Sequence, residues 1–95
     1  MKKYVLLSCG FVKPTPEIMN TWNAWFASIK ESIVDMAGFG AGREVSKAGT
    51  IDLPLGAETI TGLVIVQAAS FDDAVEMARR NPCVTSTRVY EMRSS

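Results

Sequence analysis

Asp35 and Arg43 are the two charged residues whose positions best suit chemistry on a small molecule. Asp35 falls near the end of a predicted helix, where the helix dipole disfavours a carboxylate, and a residue that opposes its local preference indicates a function. In an apolar cleft this carboxylate is a candidate general base. Arg43 follows a glycine-rich turn and can hold an anionic group through paired hydrogen bonds. For both residues the alternative is a place on the solvated surface.

Three large aromatic residues, Trp22, Trp25 and Phe26, occur close together in the same predicted helix. They predict either the wall of a pocket for a flat or apolar ligand, or contacts in the core or a dimer interface. Trp22 and Phe26 are one turn apart and favour the core, whereas Trp25 is rotated from them and is predicted to reach the mouth of a cleft. Both tryptophans are candidates for ligand contact. Further hydrogen bonds to a ligand are available from Ser8, Ser46, Asn20 and Tyr90.

The composition excludes several functional classes. The absence of histidine removes imidazole acid–base catalysis, Ser–His and Cys–His nucleophiles, and histidine metal sites. Cys9 and Cys83 are too few for a disulfide framework or a four-thiolate zinc site, and we expect two reduced, buried thiols, with a redox pair as the alternative. Ten basic and ten acidic residues balance to zero, so charge gives no reason to expect nucleic acid or a membrane as partner. We expect no metal and no cofactor.

The length of 95 residues predicts one globular domain over residues 1–95. The apolar run near the N-terminus is about five residues long, shorter than the roughly 7–15 residues of a signal-peptide core. The other apolar stretches fall well short of the roughly 20 residues that span a membrane. We therefore expect a cytoplasmic protein.

The pattern of apolar residues predicts alternating strands and helices. Residues 4–9 form an apolar strand, and a helix then runs from a cap at Thr15 to an end at Ala37-Gly38, because apolar residues recur three and four positions apart. Residues 39–47 are predicted to form a short exposed strand near the sheet edge, and residues 48–58 a loop. A strand over 59–68, a helix opened by Ser70 and stopped by Asn81-Pro82, and a strand over 85–92 follow.

This order predicts an α+β fold of the ferredoxin-like β-α-β-β-α-β type, with one antiparallel four-stranded sheet and two helices on one face. The helices cover one face only, yet residues 5–7 and 63–66 are consecutively apolar, so both faces carry apolar side chains. We expect a homodimer in which two such sheet faces pack together, because an uncovered apolar face is unusual for a soluble monomer. The alternative is a monomer whose loop 48–58 covers half of that face.

Three stretches together form a pattern that spans nearly the whole chain: the strand at 3–7, the glycine-containing segment 36–45, and the second helix with its Asn81-Pro82 stop. In this pattern the chain resembles the YCII-related family of the dimeric α/β-barrel superfamily. The resemblance implies a homodimeric barrel with a cleft between helix and sheet, where some relatives use a His–Asp pair. Asp35 would match the family's acid, but the histidine is missing, so that dyad is not carried over.

These observations predict a small dimeric protein that binds a small organic molecule in a helix–sheet cleft. If the protein is an enzyme, proton-transfer, lyase or isomerase chemistry without a cofactor fits best, with Asp35 as base and Arg43 as anion anchor. The alternative is a non-catalytic module that binds a ligand or a partner and has lost the family's histidine-based site.

Overall fold

The computed structural model describes residues 1–93, which form two helices separated by four strands, with one further strand before the first helix and one after the second. A short 3₁₀ turn, Lys30–Ser32, follows the first helix. No helix within residues 1–93 is long and apolar enough to cross a membrane. In chain order the elements are β1 (Lys2–Cys9), α1 (Pro16–Ser28), β2 (Ile33–Gly38), β3 (Gly42–Ser46), β4 (Gly49–Leu53), β5 (Ile60–Ala68), α2 (Phe71–Arg79) and β6 (Ser86–Glu91).

Four strands form the main sheet, in the order β2-β5-β1-β6, and every neighbouring pair is antiparallel. This is the ferredoxin-like strand order, with β3 and β4 inserted as a separate hairpin between its second and third strands. The prediction of an α+β fold with a four-stranded antiparallel sheet is confirmed.

The first helix begins where the sequence predicts and ends much earlier. The Thr15 hydroxyl accepts a hydrogen bond from the backbone N–H of Ile18 at 3.2 Å, and Pro16 opens the helix. The helix stops at Ser28, so the predicted end at Ala37-Gly38 is wrong. Ile33 and Met36 belong to β2, where an irregularity in pairing with β5 leaves residues three apart on the same face. That spacing imitates the helical period and explains the error.

The structure also differs from the sequence-based prediction over residues 39–58. Instead of one strand and a loop, β3 and β4 form an antiparallel hairpin, and all of its residues are exposed. The prediction of a loop over 48–58 is therefore wrong for Gly49–Leu53. Gly49 has a φ of 128°, which favours glycine at the start of the returning strand.

From β5 onward, the chain follows the prediction. The Ser70 hydroxyl caps α2 by accepting a hydrogen bond from the N–H of Asp73 at 3.1 Å, and Arg79 lies in the last turn, where the helix dipole favours a cation. The strands predicted over 59–68 and 85–92 are β5 and β6.

Both faces of the sheet carry apolar side chains, but the helices cover only one of them. Alternate residues of β1 and β5 are buried under both helices, and the core there consists of Tyr4, Leu6, Trp25, Ile29, Val64, Val66, Ala68, Ala74 and Ala78. The remaining residues of the two strands point to the opposite face, which we call the open face. Its centre is made by the half-buried side chains of Val5, Leu7, Leu63 and Ile65.

Candidate functional site

One row of residues across the sheet leaves a hollow beneath α1. Ser8 shares the helix-covered face with Tyr4 and Leu6 because side chains two apart in a strand point the same way. Its neighbours in register across the sheet complete a row of two glycines and two hydroxyl residues, namely Gly38, Gly62, Ser8 and Thr87. The next row carries larger side chains: Met36, Val64, Leu6 and Val89. Three residues of the small row, Gly38, Gly62 and Ser8, form the floor of a cleft, and Thr87 lies outside its lining.

The cleft has a volume of about 480 Å³ and lies between α1 and this floor. Apolar side chains from α1, from the segment after β1 and from the end of β2 form most of its lining, among them Phe11, Ile18, Met19, Trp22, Phe26, Met36 and Phe39. Polar side chains reach it at Ser8, Asn23 and Thr61. Within residues 1–93, every side chain lining this cleft is uncharged.

Two glycines of the floor have different steric surroundings. A Cβ atom on Gly62 would lie 3.0 Å from the carbonyl oxygen of Ala37, so β2 and β5 approach closely there. A Cβ atom on Gly38 would meet no atom within 4 Å. Gly38 therefore leaves open space at the end of β2, where it lines the cleft.

The aromatic wall of the cleft is supported from behind by Trp25. The Trp25 side chain is 4% exposed, and its ring centroid lies 5.8 Å from that of Trp22 and 5.2 Å from that of Phe26. Trp22 and Phe26 are half-buried, 5.9 Å apart, and line the cleft. The arrangement is the reverse of the one predicted from helical rotation, in which Trp25 reaches the cleft mouth and the other two fill the core.

Thr61 stabilises the end of β1 beside the cleft. Its hydroxyl lies within hydrogen-bond distance of the carbonyl oxygens of Ser8 (3.3 Å) and Gly10 (3.2 Å), to either of which it can donate. Gly10 has a φ of 103° and donates its backbone N–H to the carbonyl of Thr59 at 2.7 Å. The strand end is thereby tied to the segment that precedes β5.

The structure places the other candidate residues away from the cleft. Asp35 pairs with Ile65 and so lies on the open face, where its Oδ1 accepts a hydrogen bond from the N–H of Met36 at 2.8 Å. Arg43 lies on the exposed hairpin with its Nε 3.2 Å from Asp52 Oδ1. The Ser46 hydroxyl accepts a hydrogen bond from the N–H of Ala48 at 3.2 Å and so belongs to the hairpin turn. Of the candidate residues, Ser8 and Trp22 are brought together in the cleft.

The two cysteines are free, Cys9 buried at the end of β1 and Cys83 half-buried before β6. Among residues 1–93, no group of three or more His, Cys, Asp or Glu side chains converges as metal ligands would.

Several lining residues were not singled out from the sequence, including Phe11, Met19, Met36, Phe39, Asn23 and Thr61. The available signal was the small-residue row, because Gly38, Gly62 and Ser8 each interrupt or end an apolar strand. Recognising it as a floor requires the register of the sheet, which the sequence pattern does not supply.

The fold is similar to that of a solved enzyme. The structure of 5-chloro-2-hydroxyhydroquinone dehydrochlorinase (TftG) from Burkholderia phenoliruptrix AC1100, in complex with 2,5-dihydroxybenzoquinone, matches with a TM-score of 0.61 and 13% identity. The match covers 98% of this chain and 95% of the dehydrochlorinase chain. No family model and no curated protein matches the sequence. At this identity the likeness concerns the fold.

Proposed function

We propose that this protein binds a small, neutral, largely apolar organic molecule in the cleft between α1 and the sheet. The observation that carries the proposal is the lining, in which aromatic and aliphatic walls face a floor of glycines and a serine hydroxyl group. A volume of about 480 Å³ lies within the roughly 300–1,000 Å³ of small-molecule sites. Uncharged walls favour an uncharged ligand because a buried ion without a partner is costly.

A flat ring suits this cleft best. The half-buried rings of Trp22 and Phe26 offer aromatic surface on the helix side, and Gly38 and Gly62 add no side chain on the sheet side. Aromatic rings pair favourably in offset or edge-to-face arrangements. The similarly folded dehydrochlorinase, which was solved with a benzoquinone, supports the same ligand class.

Filling the cleft tests the proposal. Gly38→Leu would place a side chain in the open space at the end of β2, whereas Gly40→Leu puts the same side chain two residues further on, outside this cleft. We expect neutral bicyclic aromatics such as tetralin to raise the melting temperature of the wild type and of Gly40→Leu, because a ligand that binds only the folded state stabilises it. Gly38→Leu should show no such rise. Equal rises in all three proteins would contradict the proposal.

A second candidate function is cofactor-free elimination, because the similarly folded protein is a dehydrochlorinase. In this function Asp35 would act as the base and Arg43 as the anion anchor. Both residues lie outside the lining of the cleft, which favours the binding module over the enzyme. Chloride release from 5-chloro-2-hydroxyhydroquinone distinguishes the two functions. Release that is lost in Asp35→Asn supports the enzyme, whereas binding without release supports the module.

We further propose that the open face is covered by a second copy of this chain. Two of its rows carry apolar side chains in the middle, with Asp35 on β2 at one edge and Arg88 on β6 at the other. A two-fold axis parallel to the strands would bring β2 of one copy over β6 of the other, so that Asp35 of one copy faces Tyr90 of the other and lies one row away from its Arg88. The exposed apolar surface and this charge arrangement both favour a homodimer over other partners.

A homodimer of this kind agrees with membership of the YCII-related family, which we propose on the sequence resemblance and the similarity of fold. We also propose the cytoplasm as its location, where the thiols of Cys9 and Cys83 would stay reduced.

A further inference from the structure

The hydroxyl group of Ser8 lies on the floor of the cleft and is unpaired. Ser8 is 8% exposed, and its side chain points to the helix-covered face of the sheet, as that of Leu6 does. The hydroxyl groups of Thr61 and Thr87 donate to other oxygens, and within residues 1–93 the Ser8 hydroxyl forms no hydrogen bond. Most buried polar groups in proteins are paired, so this free hydroxyl indicates a partner that enters the cleft.

The Ser8 hydroxyl is accessible from the cleft. In the described part of the chain, the one fully buried side-chain nitrogen or oxygen without a partner is Asn81 Nδ2, so the unpaired Ser8 oxygen is not sealed inside the protein. Ser8 lines the cleft, whereas Asn81 and Thr87 lie outside its lining. A ligand in the cleft can therefore reach the Ser8 oxygen.

The space beside Ser8 is free of side chains toward β2. Ser8 pairs with Gly62 on β5, and Gly62 pairs with Gly38 on β2. Two spacings between neighbouring strands, about 4.8 Å each, separate Ser8 from Gly38, so roughly 10 Å of floor is available there. A flat ring that lies on the two glycines brings a substituent at its end next to the Ser8 hydroxyl.

The other two polar side chains of the cleft are already satisfied. Asn23 is exposed on α1, where water can pair with its amide. The Thr61 hydroxyl uses its proton on the carbonyl oxygen of Ser8 or of Gly10. Ser8 thus provides the buried hydrogen-bonding group of the lining that is still available to a ligand.

We propose that Ser8 selects ring ligands that carry an uncharged hydroxyl group and holds this group on the floor of the cleft; the inference rests on the proposed ligand-binding function. A serine hydroxyl offers one donor and two acceptor positions, and so does a ligand hydroxyl, so the two can pair with either one as donor. An ether or ketone oxygen can only accept. A charged group is disfavoured because the lining supplies no opposite charge.

Matched probes test the selection. 6-Hydroxytetralin carries one hydroxyl group, and tetralin has the same fused rings without it. We expect Ser8→Ala to weaken binding of 6-hydroxytetralin about tenfold in isothermal titration calorimetry, because the ligand hydroxyl is then buried without a partner. The affinity for tetralin should change by less than about twofold, since it makes no hydrogen bond. Ser86→Ala is the control, because Ser86 is half-buried on β6 outside the lining, and it should bind both probes as the wild type does.

Thermal unfolding without ligand separates selection from a structural role of Ser8. The Ser8 hydroxyl forms no hydrogen bond that Ser8→Ala would lose, so we expect the variant to melt at the temperature of the wild type or above it. A lower melting temperature, together with equal losses of affinity for the two probes, would assign Ser8 to the core and overturn the selection.

Contacts in the wild-type complex give a test that needs no variant. In NMR spectra we expect nuclear Overhauser effects between the ring protons beside the hydroxyl of 6-hydroxytetralin and the β-protons of Ser8. Effects from these ring protons to Asn23 instead would place the ligand hydroxyl at the mouth of the cleft and contradict the proposal.

The outcomes distinguish selection by Ser8 from the binding function on which it rests. If both probes bind the wild type and Ser8→Ala changes their affinities equally or not at all, the selection is wrong and the binding function stands. If neither probe binds and Gly38→Leu behaves as the wild type, the cleft is not the binding site and both proposals fail.

Discussion

The indole Nε1 of Trp25 donates a hydrogen bond to the carbonyl oxygen of Met77 at 3.0 Å, across a separation of 52 residues. This bond connects α1 directly to α2. Because the Trp25 ring also contacts Trp22 and Phe26, the same side chain positions the aromatic wall of the cleft. Trp25 is thus part of the core and Trp22 is part of the site, although they belong to the same turn of α1.

Replacing each tryptophan by phenylalanine should separate these roles. Trp25→Phe removes the bond to Met77 and leaves its carbonyl unpaired in a partly buried position, so we expect a loss of about 1–3 kcal/mol in the free energy of unfolding. Trp22→Phe should cost less than about 1 kcal/mol, because its side chain is only half-buried, but it should weaken ligand binding. Urea denaturation followed by circular dichroism measures both. Equal losses in the two variants would contradict this division.

A methyl group at Gly10 should be strongly destabilising. The residue has a φ of 103°, and a Cβ atom there would lie 2.6 Å from Thr85 Oγ1 and 2.8 Å from Val84 Cβ. We expect Gly10→Ala to lower the free energy of unfolding by about 2–3 kcal/mol, through backbone strain and displacement of the segment before β6. Gly40→Ala is the control, because a Cβ there meets no atom within 4 Å. Its unfolding curve should overlay that of the wild type.

The sequence predicts the parts of the fold that depend on interactions between residues close together in the chain. Thr15 and Ser70 open helices because their hydroxyl groups accept hydrogen bonds from backbone N–H groups three residues on. The consecutive apolar residues 5–7 and 63–66 predict two apolar sheet faces, because neighbouring side chains of a strand point to opposite faces. These features allowed the ferredoxin-like order to be derived without the structure.

The end of α1 could not be predicted from the same signals. Ile33 and Met36 continue the apolar spacing of the helix, but they do so on a strand whose pairing with β5 is irregular. The choice between helix and strand there depends on contacts with β5, which is nearly thirty residues away in the chain. The same irregular strand explains the placement of Asp35, which the sequence pattern predicts on a helix and which lies on β2, on the open face.

A charge in the middle of the open face should separate the proposed dimer. Ile65 is half-buried there, and Ile65→Glu would place an unpaired carboxylate in the interface, a severe penalty for association. In light scattering we expect about twice 10.3 kDa for the wild type and a monomer for this variant.

Val45→Glu is the control for the dimer, because Val45 is 78% exposed on the hairpin. It should keep the mass of the wild type. A monomeric wild type, or a dimeric Ile65→Glu, would show that the open face is not the interface.

The affinity of the cleft for an uncharged ligand should not depend on pH. Every side chain that lines the cleft within the described residues is uncharged, so binding of tetralin is not coupled to uptake or release of a proton there. We expect the dissociation constant of tetralin to stay constant within about twofold between roughly pH 5.5 and 8.5, a range over which ordinary carboxylates and lysines keep their charge. Asp35→Asn should give the same constant, since Asp35 faces the other side of the sheet. An affinity that changes with pH in the wild type and becomes constant in Asp35→Asn would instead place this carboxylate in the binding site.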